Sequence, residues 1–91
     1  MTVHTIKNVT VAGSGVLGAQ IAFQTAYHGF SVVVYDLSDD ILEKAQTRLQ
    51  SLQHKYIADL GASQAQVQEA YSRVAYSSKL DEAVRNADLV I

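Results

Sequence analysis

Near its N-terminus the chain reads VTVAGSGVLG at residues 9–18, where a strand-forming run leads directly into glycines spaced G-x-G-x-x-G. In this pattern Gly13 allows a sharp turn, and Gly15 leaves the backbone free to approach a pyrophosphate. The third glycine, Gly18, allows the following helix to pack closely on the sheet. The N-terminus of that helix offers unpaired N–H groups and the positive end of its dipole to phosphates. The stretch therefore predicts a strand, a phosphate-binding loop and a helix.

An acidic residue ends the next apolar run, FSVVVYD at residues 30–36, eighteen residues beyond Gly18. A carboxylate in this place, Asp36, accepts hydrogen bonds from the hydroxyls of an adenosine ribose and repels a 2′-phosphate. Residues 37–39 supply no arginine that could hold such a phosphate, so the pattern favours NAD(H) over NADP(H). Asp36 could instead cap an Asx-type turn, and Leu37 could flank the adenine or belong to the core. The predicted cofactor-binding residues are Gly13, Ser14, Gly15, Val16, Leu17, Gly18, Asp36 and Leu37.

Strand and helix patterns alternate along the whole chain. Strands are predicted at 6–12, 30–35, 74–76 and 89–91, and helices at 16–28, 39–60, 63–71 and 80–84. Right-handed crossovers turn this order into the first half of a Rossmann-type doubly wound parallel sheet, α/β in class, with strand order 3-2-1-4 and a helical insertion between strands 2 and 3. In the first helix we expect the sheet-facing side to carry Leu17, Ile21, Ala22, Thr25 and Ala26.

The sequence stops inside a predicted strand, at Ile91. A central strand of a parallel sheet is flanked on both sides, so we expect residues 1–91 to be the N-terminal part of a dinucleotide-binding domain. The catalytic and dimerisation domain is then expected C-terminal to these residues. A piece of this size with a free strand edge is expected to be marginally stable alone.

The composition is that of a globular protein, with 48% hydrophobic and 18% charged residues and a net charge of −2. This charge provides no basic field for nucleic acid or an anionic membrane, so neither is an expected partner. No apolar run approaches the roughly 18 residues that span a bilayer, and Met1–His4 do not resemble a signal peptide. The chain has no cysteine and therefore no disulfides. A cytoplasmic location is the expectation.

The remaining polar residues predict no catalytic or metal site. His4, His28 and His54 share no metal-ligand spacing, and His28 is expected to favour a helix C-terminus. The pair at 77–78 is interpreted as a turn and cap, because no base for a serine nucleophile is identifiable nearby. Residues 44–55 are interpreted as a solvated helix face, although their charges could contact an anionic substrate tail.

In these motifs the chain resembles the N-terminal NAD-binding domain of the L-3-hydroxyacyl-CoA dehydrogenases, including the bacterial 3-hydroxybutyryl-CoA dehydrogenases. The resemblance rests on residues 9–18, 20–22, 33–38, 41–45 and 87–91, and on the long and short helices inserted between the second and third strands. It implies an NAD-dependent oxidation of a 3-hydroxyacyl-CoA to the 3-ketoacyl-CoA by hydride transfer. It also implies a role in fatty acid metabolism, an acyl-CoA substrate and a homodimer formed through the C-terminal domain.

The resemblance carries over the glycine loop and Asp36 but no catalytic residue, since the family's histidine, glutamate, serine and asparagine follow the fourth strand. The family's CoA-contacting serine and lysine correspond to Leu52 and Asp59, with Ser51 and Lys55 near but out of register. Two alternatives therefore stay open: a related NAD-dependent dehydrogenase of a free hydroxy or sugar acid, and a non-catalytic nucleotide-binding module.

Overall fold

A computed structural model describes residues 6–91, and the interpretations of Met1–His4 lie outside this range. Four strands alternate with four helices. They are β1 (Asn8–Ala12), α1 (Val16–Tyr27), β2 (Ser31–Tyr35), α2 (Asp39–Leu60), α3 (Gln64–Ser72), β3 (Val74–Ser77), α4 (Leu80–Val84) and β4 (Leu89–Val90). The predicted elements are all present, and their bounds differ by one or two residues at most. None of the helices within residues 6–91 is both long and apolar enough to cross a membrane.

The four strands form one parallel sheet in the order β3-β2-β1-β4. Val9 lies opposite Val32, and Ala12 opposite Tyr35, so β1 and β2 end at the same edge. The predicted order 3-2-1-4 is confirmed. Because β1 is flanked by β2 and β4, the loop that follows it emerges at the middle of the carboxyl edge, where parallel α/β sheets bind ligands.

One face of the sheet carries the core. Alternate residues of β1 and β2 point to this face, and α1 packs on them through residues spaced i, i+3, i+4 and i+7: Ala19, Ala22, Phe23 and Ala26. The predicted face of α1 was therefore partly wrong. Leu17 is 69% exposed, because the buried stripe begins at Ala19 and leaves Leu17 at the mouth of the loop.

The insertion between β2 and β3 packs against the same side. Ser38 begins α2 by accepting a hydrogen bond from the Ile41 N–H, and Gly61 ends it with φ +67°. The helix buries Leu42, Ala45 and Leu49, and further along Tyr56 meets Phe23 edge to face, with ring centroids 4.7 Å apart. Helix α3 opens with a complete capping box, as predicted, in which Ser63 and Gln66 bond each other's backbone N–H.

The opposite face is covered by the five-residue helix α4. The buried hydroxyl of Thr10 donates to the Ala83 carbonyl oxygen at 2.6 Å, which ties α4 to the middle of β1. Just before β4, the Asp88 carboxylate accepts from the backbone N–H groups of Lys7 and Asn8, both at 2.9 Å. These backbone hydrogen bonds hold the pKa of Asp88 below its usual value. The contacts fix β4 beside β1.

Candidate cofactor site

The glycine loop leaves β1 in a turn that only glycine adopts readily. Gly13 has φ +97°, and its N–H donates to the Tyr35 carbonyl oxygen at 2.8 Å. This bond extends the pairing of β1 and β2 one residue beyond the strands. The loop is therefore fixed to the sheet edge before it reaches Gly15 and the start of α1.

Gly15 and Gly18 differ in the space around them. A Cβ on Gly15 would have no atom within 4 Å, whereas a Cβ on Gly18 would lie 2.0 Å from the Gly13 carbonyl oxygen. Gly18 is thus needed for the close contact between α1 and the loop. Gly15 has φ −63° and ψ −170°, which any residue adopts, so it is not needed for backbone conformation. The open space over Gly15 fits a group that must approach the backbone closely.

No side chain of α1 balances the positive end of its helix dipole. Helical bonding begins with the Ala19 N–H donating to the Gly15 carbonyl oxygen at 2.9 Å, and the first turn contains no acidic residue. Gly15 has no side chain to cap the N–H groups of Val16, Leu17 and Gly18. A diphosphate would supply both the acceptors and the negative charge that such a terminus lacks.

Asp36 is bound to the glycine loop. Its Oδ2 accepts from the Ser14 hydroxyl at 2.7 Å and from the Ser14 N–H at 2.8 Å, and its Oδ1 accepts from the Leu37 N–H at 2.8 Å. These bonds, that from the Ser14 hydroxyl above all, hold the pKa of Asp36 below its usual value. The carboxylate is therefore ionised near neutral pH. A carboxylate has about four acceptor sites, and three are used here, so Asp36 keeps acceptor capacity for a ribose hydroxyl.

The Leu37 N–H belongs to the residue directly after Asp36, whereas an Asx-type turn uses the N–H two residues on, so this bond does not form the turn of the alternative interpretation. The buried Ser14 side chain was predicted only as a member of the loop, and its bond to Asp36 was missed. The available signal was a hydroxyl-bearing residue between the first two glycines.

Large apolar side chains surround the loop without being covered. Val16 is 64% exposed, Leu17 69% and Leu37 78%. Leu37 stands next to Asp36, beyond the end of β2, so it is solvent-exposed and not a core residue. A flat apolar ring such as adenine would cover the kind of surface that Leu37 presents.

The structure also contradicts one part of the interpretation of residues 44–55. Arg48 is half-buried, and its Nη1 donates to the Ser14 carbonyl oxygen at 3.3 Å, so it contacts the glycine loop and is not part of a solvated face. Its helical register was the available signal, because Arg48 is three residues beyond Ala45 and adjacent to Leu49, both of which are buried. Arg48 lines a groove of about 260 Å³ between α1 and α2, together with Val16, Ala19, Gln20, Thr47, Ser51, Leu52 and Lys55.

Two further predicted roles are structural in the fold. His28 follows Tyr27 as the C-cap of α1, and Gly29 comes next with φ +101°. The Ser77 hydroxyl accepts from the Lys79 N–H at 3.2 Å and forms the expected turn before α4. The expected cap was wrong, because Lys79 is the N-cap of α4 and no side chain caps the helix.

Known proteins are similar to this chain in sequence and in fold. The family described as "3-hydroxyacyl-CoA dehydrogenase, NAD binding domain" matches residues 8–91. A probable 3-hydroxyacyl-CoA dehydrogenase of Caenorhabditis elegans is 34% identical over 91 residues, and the human mitochondrial hydroxyacyl-coenzyme A dehydrogenase is 33% identical; each match covers 94% of this chain and 29% of the relative. The chain thus spans less than a third of these relatives.

Solved structures agree with this assignment. A diketoreductase, solved in connection with the substrate-directed dual catalysis of dicarbonyl compounds, is 47% identical with a TM-score of 0.92, over 97% of this chain and 31% of that one. The 3-hydroxybutyryl-CoA dehydrogenase of Escherichia coli is 28% identical with a TM-score of 0.86, over 96% of this chain and 18% of that one.

The family match runs from β1 to β4 and includes the glycine loop. Its description names NAD, the cofactor that Asp36 predicts. The chain belongs to the NAD-binding domains of the 3-hydroxyacyl-CoA dehydrogenase family.

Proposed function

We propose that NAD lies across the carboxyl edge of the sheet, with its pyrophosphate on the backbone of Gly13–Gly18 and its adenosine ribose on Asp36. The observation that carries this proposal is the ionised Asp36 carboxylate, held at hydrogen-bond distance from Ser14 of the phosphate loop. Val16 and Leu17 contribute backbone N–H groups at the start of α1, and Leu37 flanks the adenine. A phosphate attached to the 2′-oxygen of this ribose would lie against the negative charge of Asp36, so NAD(H) is preferred to NADP(H).

For the whole protein, we propose oxidation of a 3-hydroxyacyl-CoA to the 3-ketoacyl-CoA, with a role in fatty acid metabolism. NAD, when bound, accepts the hydride. The residues of this chain would bind and orient the cofactor, because the loop would hold its pyrophosphate and Asp36 its adenosine ribose. Family membership supports this reaction, as do a relative named a probable 3-hydroxyacyl-CoA dehydrogenase and one named a hydroxyacyl-coenzyme A dehydrogenase.

The test combines binding with turnover. Calorimetric titration of the full chain with NADH and with NADPH is expected to give tighter binding of NADH. Spectrophotometric assay is expected to show NADH oxidation with acetoacetyl-CoA. Absence of NADH binding would refute the site, and binding without turnover on any carbonyl substrate would favour a non-catalytic nucleotide-binding module.

A second candidate is reduction of a dicarbonyl compound that carries no CoA. The specific observation in its favour is the 47% identity to a diketoreductase, which is higher than the 34% identity to the C. elegans relative. Leu52 and Asp59 also stand where the resemblance places CoA-contacting polar residues. Comparison of kcat/KM for acetoacetyl-CoA and for a free diketo ester separates the two, because only the CoA-specific enzyme loses activity when CoA is removed.

We further propose a cytoplasmic location and a homodimer formed through segments outside residues 1–91. The human relative is named as a mitochondrial protein, so cell fractionation is the relevant measurement. Analytical ultracentrifugation of the full chain tests the dimer, and a monomeric species at micromolar concentration would contradict it.

A further inference from the structure

Arg48 is the only cation within residues 6–91 whose side chain bonds the glycine loop. It lies in the third turn of α2, half-buried, with Nη1 at 3.3 Å from the Ser14 carbonyl oxygen. The N–H and hydroxyl of Ser14 bind Asp36 at the same time. The glycine loop is thus bonded by Arg48 from α2 and by Asp36 from the end of β2.

The charge of Arg48 has no counter-ion in the described part of the chain. The ion pair found there joins Arg73 to Glu69 at 3.5 Å, and Arg73 also donates to the Ala26 carbonyl oxygen at 2.9 Å. Arg48 makes one hydrogen bond, although a guanidinium has five N–H donors. Because partial burial of an unpaired cation costs free energy, the position favours an anion that enters from outside the fold.

The donor geometry indicates which anion. A guanidinium fork matches the oxygens of a phosphate and binds them more strongly than a neutral donor does. The first turn of α1, immediately beyond Ser14, is the place where the dinucleotide diphosphate is expected to lie. Because Nη1 of Arg48 lies 3.3 Å from the Ser14 carbonyl oxygen, the guanidinium is adjacent to the loop whose backbone N–H groups are proposed to bind the diphosphate.

We propose that Arg48 is a cofactor-binding residue that contacts the pyrophosphate of NAD from α2, outside the glycine motif. This inference rests on the proposed site at Gly13–Gly18. The 2′-position of the adenosine ribose is the less favourable target, because the ionised Asp36 disfavours phosphate there. Arg48 thereby adds a formal positive charge to a site whose other phosphate ligands are neutral N–H groups.

The experiment compares ligands with and without phosphates on the full chain. Binding of adenosine, ADP and NADH is measured by calorimetry for the parent protein, Arg48→Met, Arg48→Lys and the control Lys44→Met. Lys44 is an exposed cation one turn before Arg48 on the same helix, and the hydrogen bonds found within residues 6–91 include none from Lys44 to the loop. We expect Arg48→Met to weaken ADP and NADH about tenfold, as for loss of a charged hydrogen bond, with adenosine changed less than about twofold. Arg48→Lys should restore part of the loss, and Lys44→Met should bind as the parent does.

Salt dependence provides a second measurement that a purely structural role would not change. The affinity of the parent for ADP should fall more steeply with ionic strength than that of Arg48→Met, because one charge pair is absent in the variant. If Arg48→Met fails to fold, Arg48→Lys alone tests the proposal through the same ligand series.

Several outcomes would overturn the proposal. Equal losses for adenosine and ADP would make Arg48 a structural tie between α2 and the loop. Unchanged ADP and NADH affinity with a higher KM for the carbonyl substrate would assign Arg48 to the substrate. A loss confined to NADPH would assign it to a 2′-phosphate. If the parent itself binds no NADH, the proposed site fails, which is a different result from parent binding that Arg48→Met leaves intact.

Discussion

Replacing Gly18 by alanine should destabilise the fold. The expected loss in free energy of unfolding follows from the contact between Gly18 and the loop. The new Cβ would lie 2.0 Å from the Gly13 carbonyl oxygen and 2.9 Å from its carbon, whereas real Cβ contacts essentially never fall below 3.0 Å. The oxygen must therefore move by the difference, at least 1.0 Å. Overpacking of a well-packed region costs about 1–3 kcal/mol. Because the obstacle is backbone, fixed by the bond from Gly13 to Tyr35, we expect about 3 kcal/mol, at the upper end of that range.

The matched control is Gly15→Ala. Its Cβ would meet no atom within 4 Å, and its backbone angles suit alanine, so the free energy of unfolding should change by less than about 1 kcal/mol. Affinity for NADH should nevertheless fall at least about tenfold, because the methyl group occupies the open space proposed for the pyrophosphate. The two substitutions thus separate stability from binding.

Urea denaturation followed by circular dichroism measures the first effect, and calorimetric titration with NADH measures the second, both on the full chain. A Gly18→Ala protein as stable as the parent would refute the reasoning about close packing. A Gly15→Ala protein that binds NADH as the parent does would refute the placement of the pyrophosphate.

Four other predictions concern side chains. Asp36→Ala should weaken NADH binding and reduce the difference in affinity between NADH and NADPH. Unchanged affinities for both would make Asp36 only a turn residue. Since the pKa of Asp36 is lowered in the folded protein, affinity for NAD⁺ should persist through the ordinary carboxyl range and be lost only as pH falls through that lowered pKa. Ser14→Ala should move this loss to higher pH, as measured by titration with NAD⁺ at a series of pH values. Asp88→Asn should reduce the acid dependence of stability, because the pKa of Asp88 is lower in the folded than in the unfolded chain. The resulting stabilisation is present above the unfolded pKa and is lost as pH falls through the folded pKa, so identical acid denaturation curves would contradict this. Ser63→Ala should cost about 1 kcal/mol by removing the capping box, as measured by urea denaturation.

The fold could be predicted from local signals. The bounds of α2 follow from the cap at Ser38 and the left-handed Gly61, and the start of α3 follows from Ser63 and Gln66. The handedness of βαβ crossovers then fixes the order of the strands. Each of these signals acts within a few residues or through a general rule of chain geometry, so the sequence alone contains it.

The contacts of the site could be predicted only in part. The spacing of the glycines and Asp36 indicates the ligand, but the bond from Ser14 to Asp36 joins residues 22 positions apart. Arg48 reaches Ser14 only because α2 packs beside α1 at one particular rotation. The exposure of Leu17 likewise depends on how Gly18 seats the helix on the loop. Such placements arise from tertiary packing, which periodicity within one element does not contain.

The bond from the Gly13 N–H to the Tyr35 carbonyl oxygen has a kinetic consequence. It keeps the phosphate loop in register with the sheet, so the cofactor meets a surface that is already ordered and loses little backbone entropy on docking. Association should then follow a single exponential whose rate rises linearly with NADH concentration, without the plateau that a slow loop rearrangement imposes. On this surface, differences in affinity among variants of the loop should be expressed as residence time.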